Sequence, residues 1–287
     1  MLNRRIMKNK KTKALLLNIL LFGLFPITVA VFAFTANWIL FGVTLVIYIA
    51  VFILIKLENL MLISAGYFDK KGDNEKALHP AYKAYKLKRS SIDTASIFIF
   101  MLLKAGKYEK AMEIISENGS REMDEDQYIA FHSNKALCLW KLNRINEAIA
   151  IFDEITKNFE STSIYLSFGT ILTFSDDLDK ALAVNTKAYK YNSKSKGIKD
   201  NLAYTYHLLG DKDRAKRMYE ELLGEPVNFP EAYYNAAMVV LAEGQFDEAI
   251  RYLKQALTKQ FTGLSAITED DVQKRIDYLN RGQGEIS

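Results

Sequence analysis

The side chains able to act as metal ligands or nucleophiles are few and scattered. Histidine occurs only at 79, 132 and 207, and cysteine only at 138. A zinc site needs three or four Cys, His or carboxylate ligands converging on one point, and His132 and His207 stand 75 residues apart. One thiol excludes a disulfide framework or an iron–sulfur cluster built from this chain alone. Asp176, Asp177 and Asp179 cluster as the residues of a solvated turn would, and His79 beside Pro80 reads as structural. No HExxH, P-loop, GxSxG or GxGxxG spacing occurs. The expectation is no enzyme: no catalytic residue, no metal, no cofactor and no small-molecule substrate.

Charge narrows the partners. The chain of 287 residues carries a formal +4, but Arg4, Arg5, Lys8, Lys10, Lys11 and Lys13 supply six positive charges before residue 14. The remainder is slightly acidic, so the basic pI belongs to a leader over 1–14 and not to a basic folded face. Nucleic-acid binding, which rests on a basic surface, is not expected. A basic leader beside an apolar run instead suits anionic lipid headgroups.

The apolar run is long. Ala14 to Ile55 holds 42 residues without a formal charge, and one crossing needs about 20. The expected arrangement over 15–56 is a transmembrane helical hairpin, with crossings at about 15–34 and 38–55 and a tight turn at Thr35–Asn37. Basic residues precede the first crossing, and Lys56, Lys70, Lys71 and Lys76 follow the second. The positive-inside rule then places the N-terminus and the C-terminal domain in the cytoplasm, on a plasma membrane. A cleaved signal peptide or a single span is the alternative, and would place the domain outside.

Beyond the run, six similar segments begin at Gly72, Gly106, Asn143, Asp176, Gly210 and Gly244. Each has an alanine five positions later: Ala77, Ala111, Ala148, Ala181, Ala215 and Ala249, spaced 34, 37, 33, 34 and 34 residues apart. Apolar stripes at helical spacing flank each turn. In the last segment they are Tyr233, Ala236, Ala237 and Val240 before the turn, then Ala249, Ile250, Leu253 and Ala256 after it. The pattern is a helix, a left-handed turn and an antiparallel helix brought close by the small alanine. One such pair cannot bury both faces, so pairs must stack. Thr268-Glu269-Asp270-Asp271 has the form of a capping box, opening a helix with Val272, Ile276 and Leu279 on one stripe to cover the last face.

This periodicity resembles the tetratricopeptide repeat family, whose unit is 34 residues. On that alignment the small residue of the first helix becomes Ala65, Ile99, Ala136, Gly169, Ala203 and Ala237, with Ile99 a misfit. The early Trp of the motif is absent, its place taken by Met61, Ala95, His132, Tyr165, Lys199 and Tyr233, and the closing Pro is mostly missing. The longer interval between the second and third segments predicts an extended turn near 122–126. The resemblance implies an all-α, right-handed superhelical solenoid of antiparallel helix pairs: six repeats over 57–262, then a capping helix and tail over 263–287.

In that family the first helices line a concave groove for an extended peptide or a partner helix. Carried onto this chain, the groove positions include Asn134, Asn201 and Asn235 at one level, with Phe100, Trp140, Tyr204, Tyr234 and Met238 as large apolar groups nearby. Amides at this level have both donor and acceptor for a peptide backbone, and aromatic groups commonly anchor interfaces. Lys70, Lys104 and Lys141 recur in the first three units, where a wet helix face is the plain reading. A chaperone-type carboxylate clamp is not expected, because Asp200, His207 and Leu208 stand where bases would be needed. The function expected is a membrane-tethered protein–protein interaction scaffold or adaptor. The alternative is a structural subunit of a membrane complex with an extended, non-catalytic interface.

Overall fold

The computed structural model describes residues 38–87 and 91–284, with isolated positions between 23 and 34. The leader at 1–14 lies outside the described residues, as does most of the first expected crossing at 15–34. Contacts divide the chain into two units, one reaching to Phe98 with Asn118–Ala130, the other holding Ile99–Glu117 and everything from Phe131. Among the described residues the secondary structure is helical, without strands.

In the first unit, α1 (Trp38–Lys70) runs antiparallel to α2 (Asn74–Tyr85). The second expected crossing, 38–55, is therefore continuous with the first helix of the first repeat. No glycine or proline lies between Ile55 and Gly66 to stop the helix, and the chain turns only at Gly72, with φ 79°. Among the described residues no single helix is long and apolar enough to cross a membrane. Trp38–Ile53 and Leu57–Lys70 meet that requirement together, bent by 57° at the break. The bend falls where the sequence changes from uncharged to charged, at Lys56 and Glu58. Asp73 caps α2 by accepting from the Lys76 amide at 3.0 Å. Glu58 of α1 accepts from the Ser91 amide at 3.2 Å and from the Thr94 hydroxyl. These bonds hold the start of α3 (Ile92–Lys104).

The second unit continues with α4 (Tyr108–Asn118), α5 (Glu125–Lys141), α6 (Ile145–Ile155), α7 (Thr162–Thr173) and α8 (Leu178–Tyr191). It ends with α9 (Lys196–Leu208), α10 (Lys212–Leu223), α11 (Pro230–Leu241), α12 (Phe246–Leu257) and α13 (Glu269–Gly284). Turns between paired helices share one conformation: Gly106, Gly210 and Gly244 have φ of 72°, 81° and 77°, and Asn143 has φ 61°. Asn is among the few non-glycine residues that enter this region at modest cost. The fourth turn instead relies on Asp177, which accepts from the Lys180 amide at 3.0 Å to cap α8. The longer connection between α4 and α5 spans 119–124.

All six alanines that follow the turns are fully buried, as are Ala65, Ala136, Ala203 and Ala237 on the facing helices. Ile99, the misfit of the alignment, is fully buried too. Gly169 meets a different neighbour: a Cβ there would stand 2.0 Å from Asn185 Oδ1. Asn185 lies on α8, the second helix of the pair, and is fully buried. Its amide donates to Thr173 Oγ1 and Thr205 Oγ1, each at 3.0 Å. The missing side chain at 169 leaves room for this polar knot. At the far end α13 starts with Asp271 N donating to Thr268 Oγ1 at 3.1 Å and Thr268 N to Asp271 Oδ2 at 2.8 Å. Val272, Ile276 and Leu279 close over Ala237, Leu253 and Ala256. Gly169→Ala should cost about 1–3 kcal/mol by overpacking, read as a lowered urea midpoint. An unchanged midpoint would show that Asn185 can move aside.

Candidate functional site

The three asparagines on the first helices are not on the surface. Asn134, Asn201 and Asn235, expected at one level of an open groove, are all buried. The cause is that first helices of successive pairs lie side by side, and an amide on one satisfies the backbone or side chains of the previous one. Asn201 on α9 donates through Nδ2 to Leu166 O and Thr170 Oγ1 on α7, both at 3.1 Å. Asn235 on α11 donates to both oxygens of Asp200 on α9, at 3.3 Å.

Asp200 is the site residue that the sequence pattern did not single out. It is 3% exposed and accepts from Tyr219 Oη of α10 at 2.8 Å. Burial pushes its carboxyl up to about 7, because removing a carboxylate from water disfavours the charged form. The Tyr219 phenol is likewise held well above its ordinary value by burial. Its only trace in the sequence is an acid standing where the family's clamp would carry a base.

These groups border a cavity of about 380 Å³. Leu166, Phe174, Phe229 and Leu264 supply apolar wall, and Asp200, Glu231, Thr170, Asn201 and Asn235 supply polar atoms. Asn235 Oδ1 is buried and has no hydrogen-bond partner. A buried acceptor without a donor is costly, and the cavity next to this residue sets apolar side chains beside polar ones.

The aromatic groups divide. Phe100 is exposed. Trp140 is half-buried, with Lys141 Nζ 4.9 Å from its ring centre. Tyr204 is packed between Phe174 and His207, with centroids at 6.1 and 5.5 Å, and burial pushes its phenol up to about 12. Tyr234 and Met238 rest on the cluster formed by α11, α12 and α13. Both are half-buried there. Lys141 departs from the wet-face reading: burial lowers its pKa, and Nζ donates to Ser265 O at 2.8 Å.

The residues with chemical potential are dispersed. Cys138 is buried, its Sγ donating to Tyr108 O at 3.3 Å, and burial raises its thiol to about 11. Burial lowers the pKa of both His132 and His207. Among the described residues no group of three His, Cys, Asp or Glu converges as a metal site would require.

The titration of Asp200 has a definite sign. Its carboxyl is raised from 3.8 to about 7 on folding. Between those values the folded chain keeps a proton that the unfolded chain has released. Its stabilising contribution is therefore full below pH 3.8 and lost as pH rises through 7. Asp200→Asn should flatten the fall in stability between acidic and mildly alkaline buffer, measured as urea midpoints. A wild-type-like slope in the variant would remove Asp200 as its source.

Comparison with known proteins accords with this geometry. Residues 202–263 match the tetratricopeptide repeat family model. The signal recognition particle subunit SRP72 of Canis lupus familiaris is 22% identical over 216 residues, 74% of this chain. That stretch is 31% of the relative's length, so the chain spans about a third of it. A tetratricopeptide repeat protein from Parabacteroides merdae superposes with TM-score 0.61 at 14% identity, covering 91% of this chain and 98% of its own. PilW, a type IV pilus biogenesis factor, gives TM-score 0.56 at 16% identity, covering 71% and 93%. The chain is thus an all-α protein with the tetratricopeptide repeat fold, and it carries the family's sequence signature at residues 202–263.

Proposed function

We propose that the chain is a membrane-tethered scaffold whose repeats stand on the cytoplasmic side and receive a segment of a protein partner among their first helices. The observation that carries the binding half is the cavity between α7, α9 and α11. It has an apolar wall of Leu166, Phe174 and Phe229 beside the polar side chains of Asp200, Glu231 and Thr170. A protein segment brings both complements, backbone N–H groups and apolar side chains. The curated relative is by its name a subunit of a larger particle, which fits a chain that works by holding others.

The tethering half rests on α1. Its N-terminal half is apolar on every side, and Trp38, Ile39, Val43, Val46, Ile47 and Ile49 are all exposed. Water-exposed apolar surface of this kind marks a site of association, and lipid is the partner suited to a helix with no polar face. The basic residues on both flanks of the apolar run favour the cytoplasmic orientation.

Alkaline carbonate washing of membranes tests the tether. Wild type should remain in the pellet, and Val46→Lys with Ile47→Lys should shift the protein toward the supernatant, each lysine costing about 2.5–3.5 kcal/mol at the centre of a span. Wild type found in the supernatant would end the tether reading. For the scaffold, a photoreactive residue at exposed Phe100 should crosslink a protein that one at Lys254, on the second helix of the last pair, does not. Crosslinking at Lys254 alone would favour a structural subunit that binds through its second helices.

A further inference from the structure

The connection between α12 and α13, residues 258–268, does not run directly from one helix to the next. It crosses to the opposite end of the second unit and lies against the second and third helix pairs. Gly263 N donates to Lys104 O at 2.7 Å, and Gly263 O accepts from Tyr108 Oη at 2.6 Å. Ser265 O accepts from Lys141 Nζ at 2.8 Å, and Ala266 N donates to Glu231 Oε1 at 2.9 Å. Between these anchors Thr262 and Ser265 form a tight turn, Ser265 N reaching Thr262 O at 3.0 Å and Thr262 N reaching Ser265 Oγ at 3.1 Å. The turn carries Leu264 to the wall of the cavity.

The seat is shaped for this turn. A Cβ on Gly263 would lie 2.3 Å from Leu103 O and 2.5 Å from Gly106 N. Both are backbone atoms of a helix end and a left-handed turn, which have little freedom to move. Only a residue without a side chain fits there, and the Leu264 side chain follows immediately. Tyr108 and Lys141, half-buried side chains of two different pairs, direct their donors at two carbonyls of one short segment. Such main-chain recognition reads backbone and one glycine rather than a long string of side chains.

We infer that residues 258–268 are an internal strap, seated on the second and third helix pairs and lending Leu264 to the cavity wall, that a partner must displace. We infer also that the strap shows the chemistry the surface accepts: a tight turn carrying glycine followed by a leucine-sized apolar residue. The second part rests on the scaffold reading proposed above; the strap itself does not. The tether presents the segment to its seat at an effective concentration on the order of millimolar. A free segment of the same sequence is therefore shut out while the strap is seated, and the surface opens only to a tighter ligand or to a loosened strap.

The test uses the full chain and two labelled peptides, one with the sequence of residues 258–268 and one with valine at the position of Gly263. Hydrogen exchange should show the Gly263 and Ala266 amides protected in wild type and at least about tenfold faster in Gly263→Val, whose strap cannot seat. Fluorescence anisotropy should then show the first peptide binding Gly263→Val at least about tenfold more tightly than wild type, and the valine peptide binding neither. Tyr108→Phe with Lys141→Met, which removes two donors and no volume from the backbone seat, should raise exchange in the strap while leaving α7 protected. That variant answers the question if Gly263→Val does not fold. Equal exchange in wild type and both variants would overturn the strap. A released strap with no binding of the first peptide would overturn the surface as a receptor for this turn. Peptide binding to Gly263→Val without any crosslink from Phe100 would sink the scaffold reading and leave the strap standing.

Discussion

The distance between paired helices depends on one alanine, repeated. A twelve-residue helix such as α10 or α12 is marginal alone and persists because one face is buried against a partner. The alanine five positions beyond each turn, fully buried in every pair, lets the two backbones approach closely. In five of the six pairs a left-handed residue before it reverses the chain in the shortest length. With separation and reversal set in this way, the faces left over on each pair match those on the next. The second unit is then closed at its end by Val272, Ile276 and Leu279 of α13. Aromatic positions of the motif vary without loss of the fold because they fill space that the alanines have already defined.

Polar groups enter the interior where that packing leaves room. Gly169 makes space for Asn185, which ties Thr173 of α7 to Thr205 of α9. Asn201 ties α9 back to α7, and Asn235 ties α11 back to α9 through Asp200. Each bond joins one first helix to the next, so the middle of the stack is held by directional contacts as well as apolar area. Directional contacts specify register where apolar packing alone tolerates slippage. Asp200 is the titratable member of this set: burial raises its carboxyl to about 7, so below that pH it keeps a proton that a surface aspartate would have lost. Asn235, engaged with it through Nδ2, is left with Oδ1 unpartnered beside the cavity.

The helix pairs were legible in the sequence because their geometry demands a small residue at a set offset from a turn, and an offset survives in one dimension. The level of Asn134, Asn201 and Asn235 on the first helices was legible for the same reason. Their burial was not, since it depends on the neighbouring first helix, about one repeat away in sequence. Asp200 illustrates the limit. Its environment is made by Tyr219, 19 residues on, and Asn235, 35 residues on, and no local pattern marks that convergence. Family position puts Tyr234 and Met238 in a groove, and their packing against the cluster that α13 completes has no mark in the local pattern. The apolar run at 14–55 was plain, but its division into a hairpin and a separate repeat was not. Nothing between Ile55 and Gly66 halts a helix, so the helical path continues past a 57° bend between Ile53 and Leu57.

The strap lies furthest from anything a linear pattern records. Its contacts pair residues 155 and 124 positions apart, and its own sequence, Phe-Thr-Gly-Leu-Ser, reads as an ordinary loop. Three-dimensional placement gives Gly263 its meaning. In open solvent that glycine would only add flexibility, whereas against Leu103 O and Gly106 N it is the one residue that fits. The strap also leads directly into α13 through the Thr268 cap. Force applied to one is felt by the other, because only Ile267 separates Ala266, held by Glu231, from that cap. Ile267 itself is buried in the α11–α13 cluster. Lifting the strap therefore disturbs the cover of the last helix pair as well as the seat on the second, which couples the two ends of the unit through eleven residues of connecting chain.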